Sequence, residues 1–68
     1  MVNLKELFII YKKAFKSFEE KNYNEALFQY KVLLTLLEEN KEYINDYTDL
    51  KLSIENNIEL CNKIENFF

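Results

Sequence analysis

The side chains with reactive chemistry in this sequence stand apart from one another. Ser17, Thr35, Thr48 and Ser53 carry hydroxyls that could serve as nucleophiles, but none has a base beside it, and the chain contains no histidine to act as one. Cys61 is the only cysteine. It has no companion at metal-ligand spacing, and one thiol cannot close an internal disulfide, so a buried structural thiol in a reducing, intracellular compartment is expected. Glu38 and Glu39 are neighbours on one helix surface and diverge instead of facing each other across a cleft. With no glycine in the chain, no loop can bring backbone N–H groups to a phosphate. These residues predict no catalytic site, no metal and no cofactor. What remains is recognition by surface shape and apolar contact.

Composition sets the frame for that surface. Sixty-eight residues make one small domain that must bury most of its apolar side chains or borrow a partner. Half of the chain is apolar, and the absence of glycine and proline removes the turn chemistry of hairpins, so the expected class is all-α. The net charge of −3, with every cation a lysine, argues against a nucleic-acid surface. Apolar runs such as Leu7 to Tyr11 are far shorter than the roughly 20 residues of a membrane span, and no signal peptide is recognisable. Direct membrane insertion is not expected.

Three helices are predicted, near residues 3 to 20, 23 to 44 and 49 to 67, folded as an antiparallel three-helix bundle. In the first, Leu4, Leu7, Tyr11, Ala14, Phe15 and Phe18 fall at steps of three and four, with Asn3 and Glu6 as a start signal and Lys5, Lys12 and Lys16 on the opposite, solvated side. The second opens at "KNYNEALFQY", where Asn22 can cap the first turn and Glu25 can reach back to it. Its core line runs Ala26, Tyr30, Leu33, Leu37 and Ile44. Flanking residues widen the apolar arc well beyond the stripe a bundle helix needs, so Val32 and Leu36 either fill the core or remain open to a partner. Thr48 is placed to cap the third helix, with Asp49 in its first turn. There Leu50, Ile54, Cys61, Ile64 and Phe68 share a line, flanked by Ile58, Leu60 and Phe67 and interrupted by Asn57, which is expected at a groove end or near solvent. The predicted core is Leu7, Tyr11, Ala14, Phe18, Ala26, Tyr30, Leu33, Leu37, Ile54, Cys61 and Ile64.

The segment "NYNEALFQYKVLL" resembles the opening of the second helix in the MIT (microtubule interacting and transport) domain, whose Asn-Tyr-x-Glu-Ala-Leu-x-x-Tyr pattern is met by Asn22, Tyr23, Glu25, Ala26, Leu27 and Tyr30. The resemblance covers nearly all of the chain. At the end of the third helix "LCNKIENF" is similar to the family's Tyr-Leu-x-Arg-Ala-Glu-x-Leu segment, with Lys63, Glu65 and Phe67 in the matching places. A tetratricopeptide-like fragment fits less well, since Leu33 stands where that repeat prefers a small residue and residues 45 to 68 do not repeat the first hairpin.

The resemblance implies a peptide-binding adaptor, a single domain over 1–68 at the N-terminus of a larger protein such as the ESCRT-associated AAA ATPase. Domains of this family take short C-terminal tail motifs of ESCRT-III-type subunits into grooves between their helices. The expected setting is cytoplasmic, peripheral at endosomal membranes through partners, with the domain itself monomeric. Together with the surplus arc of the second helix it places the groove between helices 2 and 3. Val32 and Leu36 would form one side, Leu60, Cys61 and Ile64 the other, and Glu59 and Glu65 would attract basic flanks of the peptide. The family's groove leucine corresponds to Cys61 in one register and to Asn62 in the other. The alternative is a structural unit that self-associates through the wide apolar arc.

Overall fold

The computed structural model describes residues 4–67, the side chain of Phe67 excepted, and over them the chain is all-helical. Helix α1 (Leu4–Glu19) is followed by α2 (Tyr23–Glu39), a short 3-10 turn at Lys41–Tyr43, and α3 (Tyr47–Phe67). Asn3, expected to start the first helix, and Phe68, at the end of the third helix's apolar line, lie outside the described residues.

The first turn is built without glycine. Lys21 adopts the left-handed conformation at φ 63°, its N–H donates to the Phe18 carbonyl at 3.0 Å, and the Asn22 N–H donates to the Ser17 carbonyl at 2.9 Å. This pair of bonds is the Schellman arrangement, which satisfies carbonyls that the end of α1 would leave unpaired. It also corrects the expected cap of α2. Asn22 sits at φ −89°, ψ 74° and makes no side-chain cap bond, because its backbone is already committed to closing α1. Its carbonyl instead accepts from the Ala26 N–H at 3.0 Å. Glu25 does not reach back; it accepts from Gln29 Nε2 at 2.9 Å, one turn onward.

Helix α2 also ends earlier than its apolar line suggests. Asn40 Nδ2 donates to the Leu36 carbonyl at 2.7 Å, a local bond that competes with the helical ladder. The Asn40 N–H turns to Leu37, and the chain tightens into the 3-10 turn before Ile44 extends at φ −118°, ψ 115°. Helix α3 begins at Tyr47, two residues before the predicted start, with the Leu50 N–H donating to the Asp46 carbonyl at 2.9 Å. Thr48 therefore lies inside the first turn and is exposed, not at the cap. Asp49 does occupy the first turn, where the helix dipole favours its charge.

Helix α2 is the central element, packed against α1 on one side and α3 on the other, while α1 and α3 scarcely approach each other. The core is Leu7, Ala14, Ala26, Tyr30, Leu33, Leu37, Ile54 and Cys61, every one of them on the predicted line. Tyr11, Phe18 and Ile64, also expected inside, are half-buried. Phe18 meets Tyr23 edge to face across the turn, ring centres 5.5 Å apart, a geometry that adds about 0.5–1.5 kcal/mol beyond area burial.

Candidate functional site

Because α1 and α3 both lean on α2 without closing on each other, an apolar groove opens between them. Leu33 and Leu37 of α2 form the floor, joined by Ile44 beyond the 3-10 turn. Leu4, Leu7, Phe8 and Tyr11 form the α1 wall, Leu50 and Ile54 the α3 wall, and the groove encloses about 430 Å³. Leu4 and Phe8 are about half exposed, at 51% and 53%. At the α1 lip Lys12 Nζ stands over the Phe8 ring, 4.6 Å from its centre, a cation–π contact that holds the ammonium beside the opening.

The residues assigned from the sequence to a channel between α2 and α3 are not brought together there. Glu38 of α2 accepts a hydrogen bond from the Tyr47 hydroxyl and pairs with Lys51 Nζ at 3.1 Å, so the Glu38 edge of α2 is the one turned to α3. At 100° per residue, Leu36 lies about 160° and Val32 about 120° round the helix from Glu38, on the edge toward α1. Both are half-buried. On α3, Leu60 is about 180° from Lys51 and so faces away from the α2 seam; it is exposed, and Ile64 is half-buried. Cys61 is fully buried beneath them. Its burial, followed by the charge of Glu65, pushes the thiol pKa up, which suits a structural residue better than a contact surface. Glu59 and Glu65 are exposed, and Glu59 pairs with Lys63 on its own helix at 3.2 Å.

The sequence held a signal for the observed groove. Leu4, Phe8, Tyr11 and Phe15 repeat at steps of four, three and four, forming a second apolar stripe beside the core stripe of α1. Leu4, Tyr11 and Phe15 also fall within the core line drawn for α1, so only Phe8 distinguishes the second stripe.

Of the polar groups, the Tyr30 hydroxyl is the most confined. The residue is fully buried and no donor or acceptor reaches the phenol oxygen within hydrogen-bond geometry. Burial above all, then the charges available to Tyr11 and Cys61, push its pKa up to about 12, with Asn57 of α3 close enough to oppose the shift. Asn57, expected at a groove end or near solvent, is half-buried midway along α3. At the surface, the Tyr47 bond and then Lys51 hold the Glu38 carboxyl below its ordinary range. Thr35 Oγ1 donates to the Lys31 carbonyl at 3.1 Å, an ordinary bond within the helix. No cluster of three metal-ligating side chains occurs among the described residues. Among them, too, no helix is long and apolar enough to cross a membrane.

Compared with protein-family models, curated proteins and solved structures, the chain matches none.

Proposed function

We propose that the chain is a peptide-binding adaptor module that takes a short apolar segment into the groove between α1 and α3. One observation carries this reading. An apolar trough of about 430 Å³ lies open at the surface and is lined by side chains of three helices, where exposed apolar area of this kind otherwise invites aggregation. A tail peptide with leucine-type anchors fits such a trough, and a small interface gives the reversible binding that a recruiter acting by multivalency needs. The MIT-like segment at 22–30 suggests ESCRT-III-type C-terminal tails as ligands, an attached protein such as a AAA ATPase as the cargo, and endosomal membranes as the place where partners gather it.

The alternative of a structural unit that pairs with its own copies draws on the same exposed stripe of α1. Titration of labelled ESCRT-III-type tail peptides separates the readings. Phe8→Asp puts a charge at the groove mouth on a side chain already half exposed, and is expected to weaken binding at least tenfold, about 1.4 kcal/mol. Leu36→Asp, on the far edge of α2, is expected to leave affinity within about twofold. The reverse pattern would move the site to the Val32 and Leu36 flank. No binding by any variant, with sedimentation showing concentration-dependent association, would favour the structural unit.

A further inference from the structure

We propose that the groove between α1 and α3 is built for a helical segment that is acidic along one edge. The inference rests on the peptide-binding reading and adds the chemistry of the ligand.

Charge is unevenly distributed in this chain. Helix α1 carries Lys5, Lys12, Lys13 and Lys16 against Glu6 and Glu19, a net +2, inside a chain whose net charge is −3. The groove stripe of α1 runs through Leu4, Phe8 and Tyr11. On the helical wheel Lys12, Lys5 and Lys16 follow directly on its outer side, about 40° to 80° beyond Phe8. Lys12 is fixed there by its contact with the Phe8 ring. Lys5 and Lys12 are one heptad apart, roughly 10 Å along the axis, so the cations border the length of the α1 wall. The α3 lip differs. Outward from Leu50 it presents Ser53 and Asn56 with the two acids Asp46 and Asp49. One lip is cationic and the other carries only polar and acidic groups.

The walls select the shape of the occupant. Leu33 and Leu37 stand one turn apart on the floor, and α1 and α3, each antiparallel to α2, run side by side. A helix laid between them completes a four-helix bundle, with apolar anchors at i, i+3 or i+4, and i+7 reaching the floor. Carboxylates on its α1-facing edge then meet Lys5 and Lys12. A second copy is the poorer occupant, because its own α1 stripe would bring lysines against lysines.

Fluorescence anisotropy on the full chain tests this with two labelled helical peptides of about three turns, sharing leucines at i, i+3 and i+7. One carries glutamates on a single edge, the other lysines in their place. The glutamate peptide is expected to bind about tenfold tighter at low salt, with the preference shrinking as salt rises. Lys5→Glu with Lys12→Glu, both exposed positions, is expected to reverse the preference while the helical circular dichroism persists. Equal affinity of the two peptides, or a preference that the double variant leaves untouched, overturns the acidic-edge assignment and leaves the groove reading standing. Binding of neither peptide overturns both.

Discussion

Tyr30→Phe removes a single oxygen from the centre of the molecule, and the structure fixes the sign of the outcome. The ring is fully buried where the three helices meet, so phenylalanine keeps the packing. The lost hydroxyl has no hydrogen-bond partner, and burying such a group costs about 1–3 kcal/mol. Near neutral pH the variant should therefore be more stable by about 1 kcal/mol, a rise of roughly 4–8 °C in Tm for a domain of this size. A second consequence concerns alkaline pH. The Tyr30 phenol ionises at 10.0 when unperturbed and at about 12 in the fold. The folded state thus holds a proton that the unfolded chain releases first. The stabilisation is complete below pH 10 and is lost as pH rises toward 12, at up to about 1.4 kcal/mol per unit. Half-buried Tyr47, whose pKa is also raised by its bond to Glu38, contributes in the same direction. Urea unfolding followed by circular dichroism, near neutral pH and near pH 11, measures both effects. The wild type should lose stability across that interval, and Tyr30→Phe should lose markedly less. If the variant is instead destabilised by more than about 1 kcal/mol at neutral pH, the hydroxyl is bonded in solution, with Asn57 the partner, and the reasoning fails.

Leu33→Ala should cost about 2–5 kcal/mol by urea unfolding, since the side chain is only 2% exposed and serves both core and groove floor; a loss under about 0.5 kcal/mol would show that the floor is not packed as described. Lys21→Gly should raise stability by about 1 kcal/mol, because φ 63° is strained for a side chain with a Cβ. Lys21→Ala, which keeps the Cβ, should show no such gain, and equal melting temperatures for the glycine and alanine variants would refute strain at this turn.

How far the sequence could be read depended on which physical force set each feature. Core positions followed hydrophobic periodicity, and Ala14, Tyr30, Leu33 and Ile54 all emerge buried on the lines drawn for them. Helix ends were less legible because they turn on competition for a few hydrogen bonds. Asn22 looks like a cap, but its N–H is taken by Ser17; Asn40 looks like part of a helix, but its amide binds Leu36 and stops it. The groove was legible as a stripe on α1, but its walls were not. A helical wheel shows that α2 has two apolar flanks and cannot say which neighbour lies on which. The contacts among Glu38, Tyr47 and Lys51 supply that information by joining one edge of α2 to α3.

The open groove also has a cause in side-chain size. Ala14 on α1 and Ala26 on α2 are both fully buried, small residues let backbones approach, and α1 packs more extensively on α2 than α3 does. The short Schellman turn between them holds that pair in register. Nothing comparable draws α3 toward α1. The α1 residues on that side are Leu4, Phe8 and Tyr11, and no alanine or glycine of α3 receives them. Closing the gap would press these bulky side chains against Leu50 and Ile54; leaving it open exposes them to water. A further helical segment that fills the trough relieves both penalties at once. The exposure of Leu4 and Phe8 beside the buried floor of Leu33 and Leu37 is therefore the energetic reason to expect a ligand there.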